Sequence, residues 1–120
     1  MRALLAVMLV VAVSGLGAGC SREMPAGGYQ GKLDAALAIN DLSTRDAALA
    51  NVADGAAAAG EADIVKKAVG TINDLSTKDK TAASAALKLG NAGKSTEATE
   101  VAKMINDLSL RDRTLSKLTK

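Results

Sequence analysis

The sequence predicts an all-α protein: an α-solenoid of three helix-turn-helix hairpins with a 33-residue repeat, after an N-terminal signal peptide. Three observations predict it. The phrase "INDLSTRD" at 39–46 returns as "INDLSTKD" at 72–79 and "INDLSLRD" at 105–112, and three gapless copies at one period mark a repeat array. Within each copy the apolar residues recur at helical spacing. Ahead of the copies stands a short apolar run behind a single basic residue.

That run comes first in the chain. Arg2 is a minimal positive region, and "ALLAVMLVVAV" (3–13) follows. Its length falls within the roughly 7–15 residues of a secretory signal and short of the about 20 that a membrane-spanning helix needs. An uncleaved anchor is the alternative. Gly15, Gly17 and Gly19 interrupt the chain before Cys20, the sole cysteine, so no internal disulfide can form. The stretch "LGAGC" (16–20) resembles the lipobox of bacterial lipoproteins, although Gly17 stands where that family usually has Leu. The resemblance implies that residues 1–19 are removed and that Cys20 carries acyl chains such as palmitate. Each buried methylene adds about 0.8 kcal/mol, and two or more chains anchor a protein stably. It further implies a bacterial cell-envelope location. Ser21 after the cysteine is similar to the outer-membrane type, on the periplasmic face if the cell is Gram-negative. The competing reading is ordinary cleavage, a free Cys20 thiol and a secreted soluble repeat protein. "SREMPAGGYQG" (21–31) holds Pro25 and three glycines, so 20–31 reads as a flexible tether.

The domain at 32–120 divides into rows at about 27–59, 60–92 and 93–120, each beginning at Gly27, Gly60 or Gly93. The first helix of row two places Ile64, Val65, Ala68, Val69 and Ile72 on one face. Row three repeats this with Ala98, Val101, Ala102 and Ile105, and row one with Leu33, Ala35, Ala36 and Ile39. The second helices carry Leu49, Val52, Ala53 and Ala56, then Ala82, Ala85, Ala86 and Leu89, then Leu115 and Leu118. The phrase itself reads as turn punctuation. "IND" closes the first helix, the Leu tucks between helices, and Ser43, Ser76 and Ser109 cap the second helix. Asp46, Asp79 and Asp112 complete an S-x-x-D capping box. Gly60 and Gly93 stand where a left-handed residue ends the second helix.

Composition excludes several activities. With no Phe, no Trp and one Tyr, the core rests on Ala and aliphatic residues, and no stacking surface for nucleic acid exists. The net charge is +2 without long runs of one sign. There is no His, and no nucleophile stands near a base, so no catalytic residue is assigned and an enzyme is not expected. A calcium loop at D-x-S-x-[RK]-D is disfavoured by its basic fifth residue and missing Glu. "GAAAAG" (55–60) lacks the Lys of a phosphate loop. No metal or cofactor is expected.

Over residues 26–120 the rows resemble tetratricopeptide-like repeats, with Ala-Gly at the turn between rows. They depart from that family in their 33-residue period, their missing aromatics and the absent closing Pro. The resemblance implies a protein- or peptide-binding scaffold, in which Asn40, Asn73 and Asn106 form an amide ladder in the groove, against the alternative that Asn only suits a helix end. The expected function is a non-catalytic, lipid-anchored adaptor with an unknown protein or peptide partner. The alternative is a small self-associating structural lipoprotein. A basic last helix, with Leu115 and Leu118 docked inward, points to a self-capped monomer.

Overall fold

The computed structural model describes residues 28–120, and these are all-helical, without strands. The expected signal peptide, Cys20 and the expected tether up to residue 27 lie outside the described residues. Six helices follow in order: α1 (Gly28–Leu37), α2 (Leu42–Ala58), α3 (Ala62–Thr71), α4 (Leu75–Asn91), α5 (Ser95–Ala102) and α6 (Leu108–Leu118). The starts of α2, α4 and α6 keep the sequence period. The last four residues of the expected tether, 28–31, are the first turn of α1.

The longer helices are set by their caps. Asp41 lies in extended backbone (φ −72°, ψ 120°) and accepts the Thr44 N–H at 2.8 Å. Asp74 does the same for Thr77 at 2.8 Å and Asp107 for Leu110 at 3.1 Å. The N-caps are therefore these aspartates, and the expected Ser43, Ser76 and Ser109 caps are corrected. Asp two residues before the Ser accepts the orphan N–H three residues on, so each helix starts at the Leu between them. Asp46, Asp79 and Asp112 are not capping-box partners either.

The other end matches expectation. Gly60 (φ 79°) and Gly93 (φ 83°) adopt the left-handed conformation. The Glu61 N–H reaches back to Ala56 O at 2.8 Å, and the Lys94 N–H to Leu89 O at 2.9 Å, the six-to-one bond of a Schellman ending. The first helices stop earlier than expected. α3 ends at Thr71, and Ile72 is already extended (φ −63°, ψ 131°).

Helices α2, α4 and α6 pack side by side, and α1, α3 and α5 lie against them. The most extensive helix pairs are α2–α3 and α4–α5, which face each other across the Gly60 and Gly93 turns. The tightest hairpins thus straddle the row boundaries drawn from the sequence, and α1 and α6 flank them. Each flanking helix docks one large side chain into a glycine notch. A Cβ on Gly55 would sit 2.7 Å from the Tyr29 ring, and one on Gly90 2.8 Å from Leu118. Small residues thereby make room for these side chains between the helices.

The core follows the rows. Leu49, Val52, Ala53 and Ala56 are buried, as are Ala82, Ala85, Ala86 and Leu89, and every apolar position singled out in the first helices of rows two and three. Row one differs: Leu33 and Ala36 are buried, but Ala35 is exposed and Ile39 half-buried. No preceding helix among the described residues covers that side of α1. In row three Leu115 and Leu118 are half-buried.

The cap correction has a direct test. Asp74→Ala is expected to lower stability in urea denaturation by about 1 kcal/mol. Ser76→Ala, at an exposed site with no hydrogen bond of its own, stays within about 0.5 kcal/mol. The reverse order returns the cap to the serine.

Candidate functional site

The site is the edge where α2, α4 and α6 begin. It is assembled by a joint that repeats. Asp46, only 5 % exposed, accepts the Asn73 N–H at 3.0 Å and the Asp74 N–H at 2.9 Å. One row on, Asp79, 8 % exposed, accepts the Asn106 N–H at 2.8 Å and the Asp107 N–H at 3.0 Å. Each carboxylate belongs to one row and its donors to the next. The joint draws the helix starts together and aligns them in register along one edge.

The same joint determines what faces outward. The space between successive helix starts is taken up by the Asp carboxylate and the backbone of the following Asn-Asp pair. The leucines expected to tuck there are displaced to the surface: Leu42 is 54 %, Leu75 59 % and Leu108 62 % exposed. With Leu37, 41 % exposed near the end of α1, these are the exposed large hydrophobic residues of the described chain, and all lie on this edge. Scattered single leucines on a surface need no account, but a row aligned along one edge does. Neighbouring helices pack about 8–10 Å apart, which sets the approximate pitch of the row.

Asn40, Asn73 and Asn106 stand beside the leucines, exposed. They occupy the turns before α2, α4 and α6 and not the first helices themselves. Asn73 and Asn106 give their backbone N–H groups to the joint, and Asn106 Nδ2 also donates to Asp79 Oδ1 at 3.2 Å. Ser43 and Ser76 are exposed on the same edge, and Ser109 Oγ accepts from Arg113 at 3.5 Å. Between the first two rungs lies an open cleft of about 580 Å³, lined by Leu42, Ser43, Ala47, Asn73 and Thr77 with Asp46 and Asp74.

Hydrogen bonds favour the charged form of three carboxylates on this edge. The Asn73 N–H holds the Asp46 carboxyl below the usual carboxylate range; burial opposes this, and the Asp74 N–H and Arg45 reinforce it. Asp41 and Asp74 are likewise lowered by the Thr44 and Thr77 groups they cap. On the other side of the molecule the Glu100 carboxylate raises Lys66, linking α3 to α5.

A second cleft, about 480 Å³, lies at the opposite edge among Gln30, Glu61, Asp63, Lys67, Lys94 and Glu97. There the aligned positions change from row to row, Gly28 to Glu61 to Lys94, so no single chemistry recurs. Among the described residues no three His, Cys, Asp or Glu side chains converge on a metal-sized site. Among them, too, no helix is long and apolar enough to cross a membrane.

A scan against protein-family models, a search of curated proteins and a search of solved structures each return no match.

Reasoning from the sequence missed the leucine edge because it placed the Leu inside the hairpin. The available signal was the Asp in place of Glu at the end of the phrase. A shorter carboxylate reaches back poorly to its own helix start and is free to bridge to the next row.

The joint carries a pH prediction. Because the folded-state pKa of Asp46 is lowered, its contribution is complete above the ordinary carboxylate value of about 4 and is lost as pH falls through the folded value. Thermal stability is therefore expected to be level between pH 5 and 7, as chosen test points, and to fall in more acid solution. Asp46→Ala costs roughly 3 kcal/mol at neutral pH, leaving two N–H groups without their charged acceptor, and shallows the acid slope. An unchanged slope in the variant removes the joint from this role.

Proposed function

We propose that the chain is a non-catalytic, lipid-anchored protein of the bacterial cell envelope that holds a protein or peptide against its leucine edge. In this reading the six helices form an α-solenoid of three helix-turn-helix hairpins with a 33-residue repeat. Cys20 is the acylated first residue, on the periplasmic face of the outer membrane in a Gram-negative cell. The observation that carries the proposal is the alignment of Leu37, Leu42, Leu75 and Leu108 on one edge.

The geometry favours a partner over the membrane at that edge. The chain enters α1 at Gly28, and α1 then runs ten residues, about 15 Å, toward Leu37. The tether therefore joins the domain at the edge opposite the leucines. Asn40, Asn73 and Asn106 offer side-chain amides that can pair with an extended backbone, whose N–H and C=O groups repeat at similar intervals. The leucines supply the apolar contact and the amides its direction.

Two measurements test this. A photo-crosslinking residue at position 75 captures a partner in cells, and combined Leu42→Ser, Leu75→Ser and Leu108→Ser changes abolish capture from position 77. The triple variant unfolds within about 1.5 kcal/mol of the parent, because each site is exposed. Undiminished capture by the triple variant assigns the partner to another face. Separately, intact mass of membrane-extracted protein shows a chain beginning at acylated Cys20, and Cys20→Ser releases the domain or stalls the precursor. An unmodified Cys20 thiol leaves a secreted soluble repeat protein.

A further inference from the structure

Each row of the chain carries both halves of a joint. The acceptor half is the Asp that closes the repeated phrase, and the donor half is the pair of N–H groups on Asn and Asp near its start. Three rows hold three of each, and two joints use two of each: Asp46 with Asn73 and Asp74, and Asp79 with Asn106 and Asp107. What remains is the Asp112 acceptor at one end and the Asn40 and Asp41 donors at the other. All three residues are exposed, and among the described residues neither the Asp112 carboxylate nor these two N–H groups has a hydrogen-bond partner.

The surroundings of the two unused halves match in the same way. At the internal joints Ala68 and Val101 are fully buried against the preceding row, and Ile72 and Ile105 nearly so. The aligned residues of row one are Ala35, exposed, and Ile39, half-buried. On α6, Leu115 and Leu118 are half-buried, Leu118 against Gly90, whereas the aligned Leu49, Val52, Ala82 and Ala85 are buried. Among the described residues, one end thus shows a less covered acceptor face, and the other an uncovered donor face of the kind that covers it.

We propose that copies of this chain join head to tail through this unused joint, with Asp112 of one copy accepting the Asn40 and Asp41 N–H groups of the next. The contact continues an interface that the molecule already makes twice within itself. It is heterologous, so one acceptor and one donor end remain free after each addition, and growth is open unless the rotation between copies closes a ring. It is also weaker than the internal joint. Lys32 stands where Val65 and Ala98 are buried, and its ammonium must reach water along the rim. No covalent connection holds the two sides together. The monomer expected from the sequence is then the state at low concentration, and assembly needs crowding, as on a membrane surface. This inference does not depend on a partner at the leucine edge: at the internal joints Leu75 and Leu108, beside the donors, stay exposed.

Sedimentation equilibrium of the full chain in density-matched detergent tests it with two singly blocked variants. Asp112→Lys blocks the acceptor end, and Ala35→Glu blocks the donor end; both sites are exposed, and circular dichroism checks that each variant folds as the parent does. The parent is expected to gain apparent mass with concentration without a plateau. Each variant alone stays monomeric, and an equimolar mixture forms a one-to-one dimer and stops. Asp112→Asn, which keeps the shape and removes the charge, associates about tenfold more weakly than the parent. A parent that remains monomeric up to the highest concentration overturns the proposal. So does association of either variant by itself, which means a two-fold contact or a detergent effect, and so does a mixture that stays monomeric while the parent associates.

Discussion

The carboxylate that reaches from one row to the next is the interaction on which the rest of this structure depends. Burying Asp46 or Asp79 without partners would be costly, and each is satisfied by two backbone N–H groups at 2.8–3.0 Å. Hydrogen bonds to a charged group contribute about 1.5–3 kcal/mol each, so a joint of two is comparable to burying one or two large aliphatic side chains. In a chain without Phe or Trp, whose core is largely alanine, that is a substantial share of what holds one row to the next. The joint is also directional. Alanine faces can slide along one another with small loss, whereas a carboxylate that must meet two consecutive N–H groups fixes one register.

From that register the other features follow in sequence. The Asn-Asp turn is held from behind by the preceding row, which orients its Asp, Asp74 or Asp107, so that the side chain caps the helix it begins. The backbone of the turn fills the gap between helix starts, and the Leu at the first helical position has no interior to enter. One residue therefore links the packing of the rows to the composition of the surface. Further support comes from polar contacts between rows: Lys66 with Glu100 across α3 and α5, and Ser84 with Asp54 at 3.0 Å across α4 and α2. These are exposed or half-exposed and contribute less than the buried joint.

How far the fold was legible in the sequence depends on which residues did the speaking. Helical period alone located the buried faces of α3, α4 and α5 residue by residue, because apolar positions spaced by 3.6 residues fall on one side of a helix and on no single side of a strand. Gly60 and Gly93 were equally legible, since left-handed backbone at a helix end selects for glycine. The phrase itself misled. Ser43 and Asp46 have the spacing of a local capping box, and Asp41 stands two residues ahead of the Ser with an equal claim to the cap. Choosing between them requires knowing where the second aspartate goes, and that is a contact over 27 and 28 residues that no local pattern displays. Which neighbouring helices pack most closely was hidden for a similar reason. Both turns of each row are short, and sequence does not say which of the two adjacent helix pairs packs more closely. Ile39 and Ala35 were placed in the core by analogy with rows two and three, although row one has no row before it among the described residues to cover them.

The repeated phrase divides by what the fold asks of each letter. Its Ile is core in rows two and three, its first Asp is a cap, and its second Asp is a joint. Its Asn contributes an N–H that any residue except proline could give, and only Asn106 adds a side-chain bond to the joint. Its Leu and Ser do nothing for the fold that the structure reveals. They are exposed three times over, and a helix start accepts many residues at its first position. An exposed leucine is mildly unfavourable for solubility, and three in a row more so. Folding accounts for the buried letters and leaves the regularly spaced apolar and amide groups on one edge without a role. In the proposed reading, a surface that meets a partner outside the chain, with the same chemistry at each rung, gives those letters a role.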